Sequence, residues 1–258
     1  MSRDKNHYKD RPGEPSSIPT KSWVEGAEAI GIPLENHTLE KFGRYQSELI
    51  EWNERVNLTS ITSPGEIQRR HFLDSLSCVA GARDLLALPG CNLVDIGSGA
   101  GFPGLPLALV MPHLRVTLVE SRGKRATFLR HLLDVLEIEN VSVISERAEI
   151  LGHDIAHRES YDVTVARALG PLPLIAELCM PLARIGGRCI APRREDFKSE
   201  SVLAQPAFHL VGGSALQWIP VNLPELDDGR GLVIAEKVSP TPNRFPRRPG
   251  MPAKRPLT

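Results

Sequence analysis

Residues 93–104 read Leu-Val-Asp-Ile-Gly-Ser-Gly-Ala-Gly-Phe-Pro-Gly. An apolar run ends in a glycine-rich turn, and Asp95 stands two positions before Gly97. A second apolar run, Arg115 to Val119, follows at the distance of a βαβ unit and ends on Glu120. Strand, glycine turn and strand-terminal acid together make a pocket for an adenosine-bearing cofactor at the carboxyl ends of parallel strands.

The glycine spacing chooses among such cofactors. A dinucleotide site wants G-x-G-x-x-G, with the backbone bent around a pyrophosphate. Here Gly97, Gly99 and Gly101 are followed by Phe102, at the place of the third glycine. S-adenosylmethionine carries no phosphate. It needs close backbone approach to its methionine end, which Gly97, Gly99 and Gly101 allow, and a carboxylate for the ribose hydroxyls, which Glu120 supplies. The plain alternative is a tight turn without a ligand, but Asp95 and Glu120 both fall where the ligand reading wants them.

Outward from this turn the pattern alternates. Short apolar, β-branched strands are expected at 92–96, 115–119, 141–145, 161–165 and 187–191, with helices at 103–111, 122–136 and 172–183 and a short turn near 147–151. That order is α/β: a doubly wound sheet with right-handed crossovers. The end of the chain departs from it. Ala207 to Val211, Ala215 to Ile219 and Leu232 to Val238 read as strands, the last two as an antiparallel hairpin closing the sheet. Upstream, Leu39, Phe42, Tyr45, Leu49, Trp52 and Val56 recur at helical spacing over 38–55. Ser63-Pro64-Gly65-Glu66 reads as a capping box opening a helix to about Ala80, with Ile67, Phe72, Leu76 and Val79 inward. These helices form an N-terminal cap beside the sheet.

Charge is balanced, with 31 basic and 31 acidic residues, so net charge does not announce a polyanionic partner. Its distribution says more. Residues 239–258 contain no acid, carry Arg244, Arg247, Arg248, Lys254 and Arg255, and are proline-rich. This tail is expected to lie extended or partly disordered, either as a solubilising tail or as a phosphate-binding arm. Residues 1–20 are polar and are expected to be disordered. No signal peptide or transmembrane run is expected. Cys78, Cys91, Cys179 and Cys189 form no C-x-x-C pair, so a metal is not expected, and their apolar settings suit a reducing, cytoplasmic compartment.

Groups for acid–base or nucleophilic chemistry are sparse. There is no G-x-S-x-G elbow, and the histidines show no metal-ligand spacing. Methyl transfer to a nitrogen with a free lone pair needs no base, only alignment. Arg167, after the fourth strand, projects over the methyl end of the pocket. Its bland reading is a salt bridge. Arg69, Arg70, His71 and Asp74 cluster in the cap, either as a solvated face with a His71–Asp74 pair or as part of the site.

Three blocks carry a closer resemblance: Trp52-Asn53-x-x-x-Asn57-Leu58-Thr59-Ser60, Arg70-His71-Phe72-Leu73-Asp74-Ser75, and the glycine turn itself. With Glu120-Ser121-x-x-Lys124-Arg125, Arg147-Ala148-Glu149, Ala166-Arg167-Ala168 and the tail Thr241 to Gly250, the chain resembles the bacterial 16S rRNA guanine-N7 methyltransferases, the glucose-inhibited division protein B family, over about residues 38–256. The resemblance implies a class I methyltransferase (Rossmann-like) fold and S-adenosylmethionine as donor. It implies a monomer acting on 16S rRNA of the 30S subunit, at N7 of one guanine in the 530 loop. By residue, it implies Asp95, Gly97, Ser98, Gly99, Gly101, Phe102, Glu120, Ser121, Ala148, Glu149 and Arg167 at the cofactor, and Arg167 as the catalytic candidate. It implies Arg70, His71, Lys124, Arg125, Arg193, Arg244, Arg247 and Arg248 at the RNA, with Asp74 bracing that face. The expected organisation is 21–238 as the methyltransferase domain (21–90 cap, 91–238 core) and 239–258 as the tail. Two places depart from the family pattern. Pro192-Arg193-Arg194 follows the fifth strand where Ala-x-Lys-Gly is usual, and Gly231 follows Arg230 where histidine is common.

Overall fold

The computed structural model describes residues 19–194, 197–224, 226 and 228–257. Seven strands form one sheet: β1 (Asn92–Ile96), β2 (Arg115–Val119), β3 (Val141–Ile144), β4 (Tyr161–Val165), β5 (Ala183–Arg194), β6 (Gln217–Pro220) and β7 (Arg230–Glu236). Their order is β3-β2-β1-β4-β5-β7-β6. The first five pair in parallel, and β7 runs antiparallel to both β5 and β6. The sheet order reverses beside β1, so the connections leaving β1 and β4 part to opposite sides and leave a crevice outside the carboxyl ends of these two paired strands.

Both faces are covered, which is why the central strands are apolar without a polar face. Leu93, Val163, Ile190 and Leu232 point to one core, and Val94, Cys189, Ala191 and Val233 to the other. Over the first face lie the cap helices α1 (Lys21–Ala29), α2 (Asn36–Asn53), α3 (Pro64–Ile67), α4 (Asp74–Leu76) and α5 (Arg83–Leu86), with α6 (Gly104–Val110) and α7 (Gly123–Val135). Over the second lie α8 (Ala148–Leu151), α9 (Leu172–Cys179), α10 (Phe197–Leu210) and α11 (Met251–Lys254).

The structure corrects the sequence reading in three places. Residues 207–211 are not a strand: all but Val211 lie within α10. Ala204, Ala207, Phe208 and Val211 are buried at helical spacing, so a short apolar run was one face of a helix. The stretch 63–80 is not a single helix. It passes from α3 through a π-helical turn, Gln68–Leu73, into α4 and a 3₁₀ turn, Ser77–Gly81. Ser63 makes no side-chain cap bond, although Ile67, Phe72, Leu76 and Val79 are buried as expected. Finally, the tail is not extended. Thr241, Phe245 and Leu257 are buried and α11 packs on α9. The expectation for residues 1–20 falls outside the described residues except at Pro19 and Thr20, where the Thr20 amide bonds Gln68 Oε1 at 2.8 Å.

Candidate cofactor and substrate site

The glycine turn leaves β1 at the crevice. Gly99 sits at φ 59°, in the left-handed region, and a side chain there would meet nothing closer than 3.8 Å. Its backbone therefore presents an open, uncovered surface. Gly101 differs. A side chain there would strike the Tyr45 hydroxyl at 2.6 Å and Leu105 at 3.2 Å, so this glycine serves the packing of the cap. Tyr45 fixes the same turn by donating to the Ala100 carbonyl at 2.5 Å. Gly97 is faced by Leu169, and Ser98 Oγ is turned inward to the Asp95 carbonyl at 2.9 Å.

Two carboxylates frame the turn. Glu120, buried at the end of β2, accepts from the Gly99 amide at 3.0 Å and the Arg122 amide at 2.7 Å. Asp95 is fully buried. Its Oδ2 accepts from the Gly104 amide at 2.8 Å, while Oδ1 has no partner. Burial pushes its pKa up from 3.8 to about 7. An unpartnered buried carboxyl oxygen beside open backbone is what a small cationic ligand group would fit. Ser121 and Lys124 are exposed at the start of the next connection. Arg125 donates to the Asn57 carbonyl at 2.8 Å and reaches the rim of Gly99.

Arg167 and Asp74 are the centre of the second half of the site. Arg167 Nη1 donates to Asp74 Oδ2 at 3.0 Å and to the Arg70 carbonyl, in the π-helical turn, at 3.1 Å. Its Nη2 donates to His71 Nδ1 at 3.1 Å, and the guanidinium lies 4.9 Å from the centre of the Phe102 ring. Phe102 in turn stacks on His71 at 4.5 Å and on Tyr45 at 5.4 Å. Because Nδ1 accepts, the other nitrogen of His71 carries the proton and donates to Thr59 Oγ1 at 2.7 Å. Burial, then the nearby Arg167 charge, push the His71 pKa down to about 3, so the ring is neutral. His71 thus pairs with Arg167 and Thr59 rather than with Asp74. The second Asp74 oxygen accepts from Arg230 Nη1 at 2.5 Å, and Arg230 also holds Asp228 through two bonds of 2.7 and 2.6 Å.

This network accounts for two sequence blocks. Asn53 Oδ1 accepts from the Leu58 and Thr59 amides at 2.9 and 3.0 Å, and its Nδ2 donates to the Thr59 carbonyl at 2.9 Å. The loop so pinned presents Thr59 to His71. Ser75 Oγ closes the other block on the His71 carbonyl at 2.5 Å. Arg230 was not among the expected site residues. Its signal in the sequence was weak, since an arginine at a strand start pairs with Asp74 only through the tertiary fold.

The remaining expected residues divide. Arg70 is exposed at the same rim, with Glu66 at 3.4 Å. Arg193 is held inward by the Gly170 carbonyl at 2.5 Å and by Glu200 at 3.5 Å. Ala148 and Glu149 are buried beside the β3 end, and Glu149 Oε1 accepts from the Gly250 amide at 2.8 Å. Arg247 binds the fully buried Glu177 through Nε and Nη2 at 2.8 and 2.6 Å. Arg244 and Arg248 are exposed on the tail, Arg244 over the Phe245 ring. At Gly231, a side chain would run into the Trp218 ring and stand 2.5 Å from the Ile219 carbonyl, so the missing histidine leaves room for an indole. All four cysteines are free and buried. No helix among the described residues is long and apolar enough to cross a membrane.

A family model described as rRNA small subunit methyltransferase G matches residues 38–221. The chain belongs to this family. Proteins named ribosomal RNA small subunit methyltransferase G from Chloroflexus aggregans and a Roseiflexus species are 49% and 48% identical to it, over 91% and 90% of this chain and 96% and 97% of theirs. The crystal structure of a "predicted O-methyltransferase" from Agrobacterium tumefaciens shares the fold, with a TM-score of 0.50 at 22% identity over 63% of this chain and 81% of its own. The reversed strand beside β5 and the open crevice at β1 and β4 are thus those of a class I methyltransferase. The rRNA small subunit methyltransferase G match takes in the glycine turn, Glu120, Asp74 and Arg167, and stops short of Arg230 and the tail.

Proposed function

We propose that this protein methylates N7 of a single guanine in the 530 loop of 16S rRNA, using S-adenosylmethionine, as a cytoplasmic monomer acting on the small ribosomal subunit. The observation that carries the reading is the joining of two half-sites at one crevice. The Gly99 backbone with Glu120 and the unpartnered Asp95 oxygen is one, and the Arg167–His71–Asp74 network is the other. Phe102 links them, ending the glycine turn and lying under the Arg167 guanidinium.

When bound, S-adenosylmethionine supplies an electrophilic methyl on a sulfonium. The residues for its methionine end are Asp95, Gly97, Ser98 and Gly99, with Glu120 and Ser121 for the ribose and Ala148 with Glu149 for the adenine. Gly101 and Phe102 act from behind, through packing.

Guanine N7 is an unprotonated acceptor on the major-groove edge, so no proton has to leave before attack. The network agrees. His71 is neutral and spends both ring nitrogens on Arg167 and Thr59, and Asp74 spends its carboxylate on two arginines. Neither is poised as a general base. Arg167 still has N–H groups beyond those bonded to Asp74, Arg70 and His71. A donor pointed at N7 would occupy the lone pair that reacts. Arg167 therefore orients the base through O6, or grips a phosphate. Arg70, Lys124 and Arg125 ring the same opening and suit the RNA backbone.

The test is incubation of the full chain with labelled donor and, separately, 30S subunits, naked 16S rRNA or no RNA, followed by mapping of 7-methylguanosine. One modified guanine in the 530 loop is expected. Donor binding without methyl transfer to any of these RNAs, or transfer to another atom, would overturn the reading.

A further inference from the structure

The C-terminal segment was expected to lie extended or partly disordered, yet it is stitched to one part of the fold. Glu149, in the first turn of α8, accepts from the Gly250 amide at 2.8 Å. His153 Nε2 donates to the Pro246 carbonyl at 2.6 Å. Arg158 bridges the Gly152 and Phe245 carbonyls at 2.6 and 2.9 Å. The Pro246 ring fills the space a side chain at Gly152 would take, 2.7 Å from that position. Ala148 and Leu151 share a core with Phe245 and Leu257.

The segment's other end is anchored independently. The buried Lys237 ammonium binds the Met180 carbonyl at 2.7 Å, Glu159 at 3.0 Å and the Thr241 hydroxyl. Arg247 holds Glu177 of α9. Residues 239–257 thus form a strap with two fixed points and the 148–158 connection beneath it.

That connection matters because of where it starts. The Ile144 carbonyl accepts from the Glu120 amide at 3.1 Å, so the chain leaving β3 starts next to the backbone of the residue whose carboxylate is assigned to the ribose. An adenine attached to that ribose lies beyond it, against the loops that follow β2 and β3. Helix α8 has only 4 residues, too few to hold its own shape.

We propose that the C-terminal strap sets the adenine-side wall of the donor pocket, with Gly250 and His153 as positioning residues. The proposal rests on the cofactor reading above. Without the strap's bonds the wall samples shapes that do not fit, and apparent affinity falls in proportion to the fraction that does.

Calorimetric titration of the full chain with S-adenosylhomocysteine tests it. Gly250→Ala meets open space but puts an alanine at φ 80°, which turns the amide away from Glu149. His153→Ala removes the Pro246 bond, and His153→Gln offers an amide N–H to the same carbonyl. We expect Gly250→Ala and His153→Ala each to weaken S-adenosylhomocysteine binding about tenfold and His153→Gln about twofold at most. In turnover, Gly250→Ala should raise KM for the donor with kcat and the KM for RNA unchanged. Donor-product affinity within about twofold of wild type in both Gly250→Ala and His153→Ala would overturn the proposal, as would a fall in RNA affinity alone. If the unsubstituted chain shows no heat with S-adenosylhomocysteine, the cofactor reading itself has failed, a different result from unchanged affinity in the variants.

Discussion

Asp74 and Glu177 each hold arginine in the folded chain, and their surroundings make opposite uses of it. Asp74 lies at the crevice, shared by Arg167 and Arg230, with side chains 15%, 15% and 10% exposed. Its network opens on the glycine turn and leaves Arg167 with donors to spare. Glu177 lies in α9 with no exposed surface, and Arg247 spends Nε, Nη2 and its backbone amide on it. On the proposed reading, one region presents an arginine to a ligand. The other consumes an arginine to close the fold. In the sequence Arg167 and Arg247 are both basic residues of expected sites, the one at the cofactor and the other at the RNA, and only the depth and orientation of the partner acid separates them.

The largest effect is expected at the crevice. Arg167→Ala should keep donor affinity and lose turnover by about 10²-fold or more, as removal of an oriented charged donor does in other active sites. Single-turnover methylation with calorimetric donor affinity beside it reads both quantities. Normal turnover would make Arg167 a second Arg247, a clamp and nothing more.

At the other region the expected loss is stability. Arg247→Ala leaves Glu177 buried and unpaired, which costs about 3 kcal/mol, the lower figure for a broken buried pair because Arg247 is itself 28% exposed. Urea midpoints measure it. A change below about 1 kcal/mol would mean that water reaches Glu177 readily.

How these regions could be read from the chain differs. The glycine turn, the parallel strands and the reversed hairpin were legible because each rests on local pattern: period, turn residues, a strand-terminal acid. The place of Arg167, just past the end of β4, was legible because that strand was. Its partners were not. Asp74 and Arg230 are 156 positions apart, and no local signal brings them together. The packing of the tail was not legible from its composition, because composition does not say what a segment covers. Helix α9, Leu-Pro-Leu-Ile-Ala-Glu-Leu-Cys, is buried at every position. A helix apolar on all sides has to be covered on all sides. Its single acid, Glu177, already asked for a base from elsewhere in the chain.

The pH dependence of stability offers a sharper view of the crevice. Asp95 rises from 3.8 to about 7 on folding because burial disfavours its charge. The folded chain then binds a proton that the unfolded chain has released, so this group's contribution to stability falls as pH rises from 3.8 through about 7. Asp95→Asn should flatten that part of the urea-midpoint profile. A profile identical to wild type would mean that the unpartnered Oδ1 is hydrated after all. A smaller steric effect is expected at Gly231→Ala. The added methyl meets the Trp218 ring and the Ile219 carbonyl and should cost about 1–2 kcal/mol.

The smallest effect separates free charge from spent charge directly. Lys124 is exposed beside the glycine turn, whereas Arg247 is neutralised by Glu177. A cation that meets a phosphate releases a counterion, and its removal lowers the slope of log affinity against log salt by about 0.7–0.9. Lys124→Ala should therefore weaken binding to a 16S rRNA fragment only a few-fold at moderate salt and flatten the slope by roughly that amount. Arg247→Lys, which keeps the charge on Glu177, should leave the slope where it was. If the two variants exchanged these results, the RNA would lie along the strap instead of across the crevice.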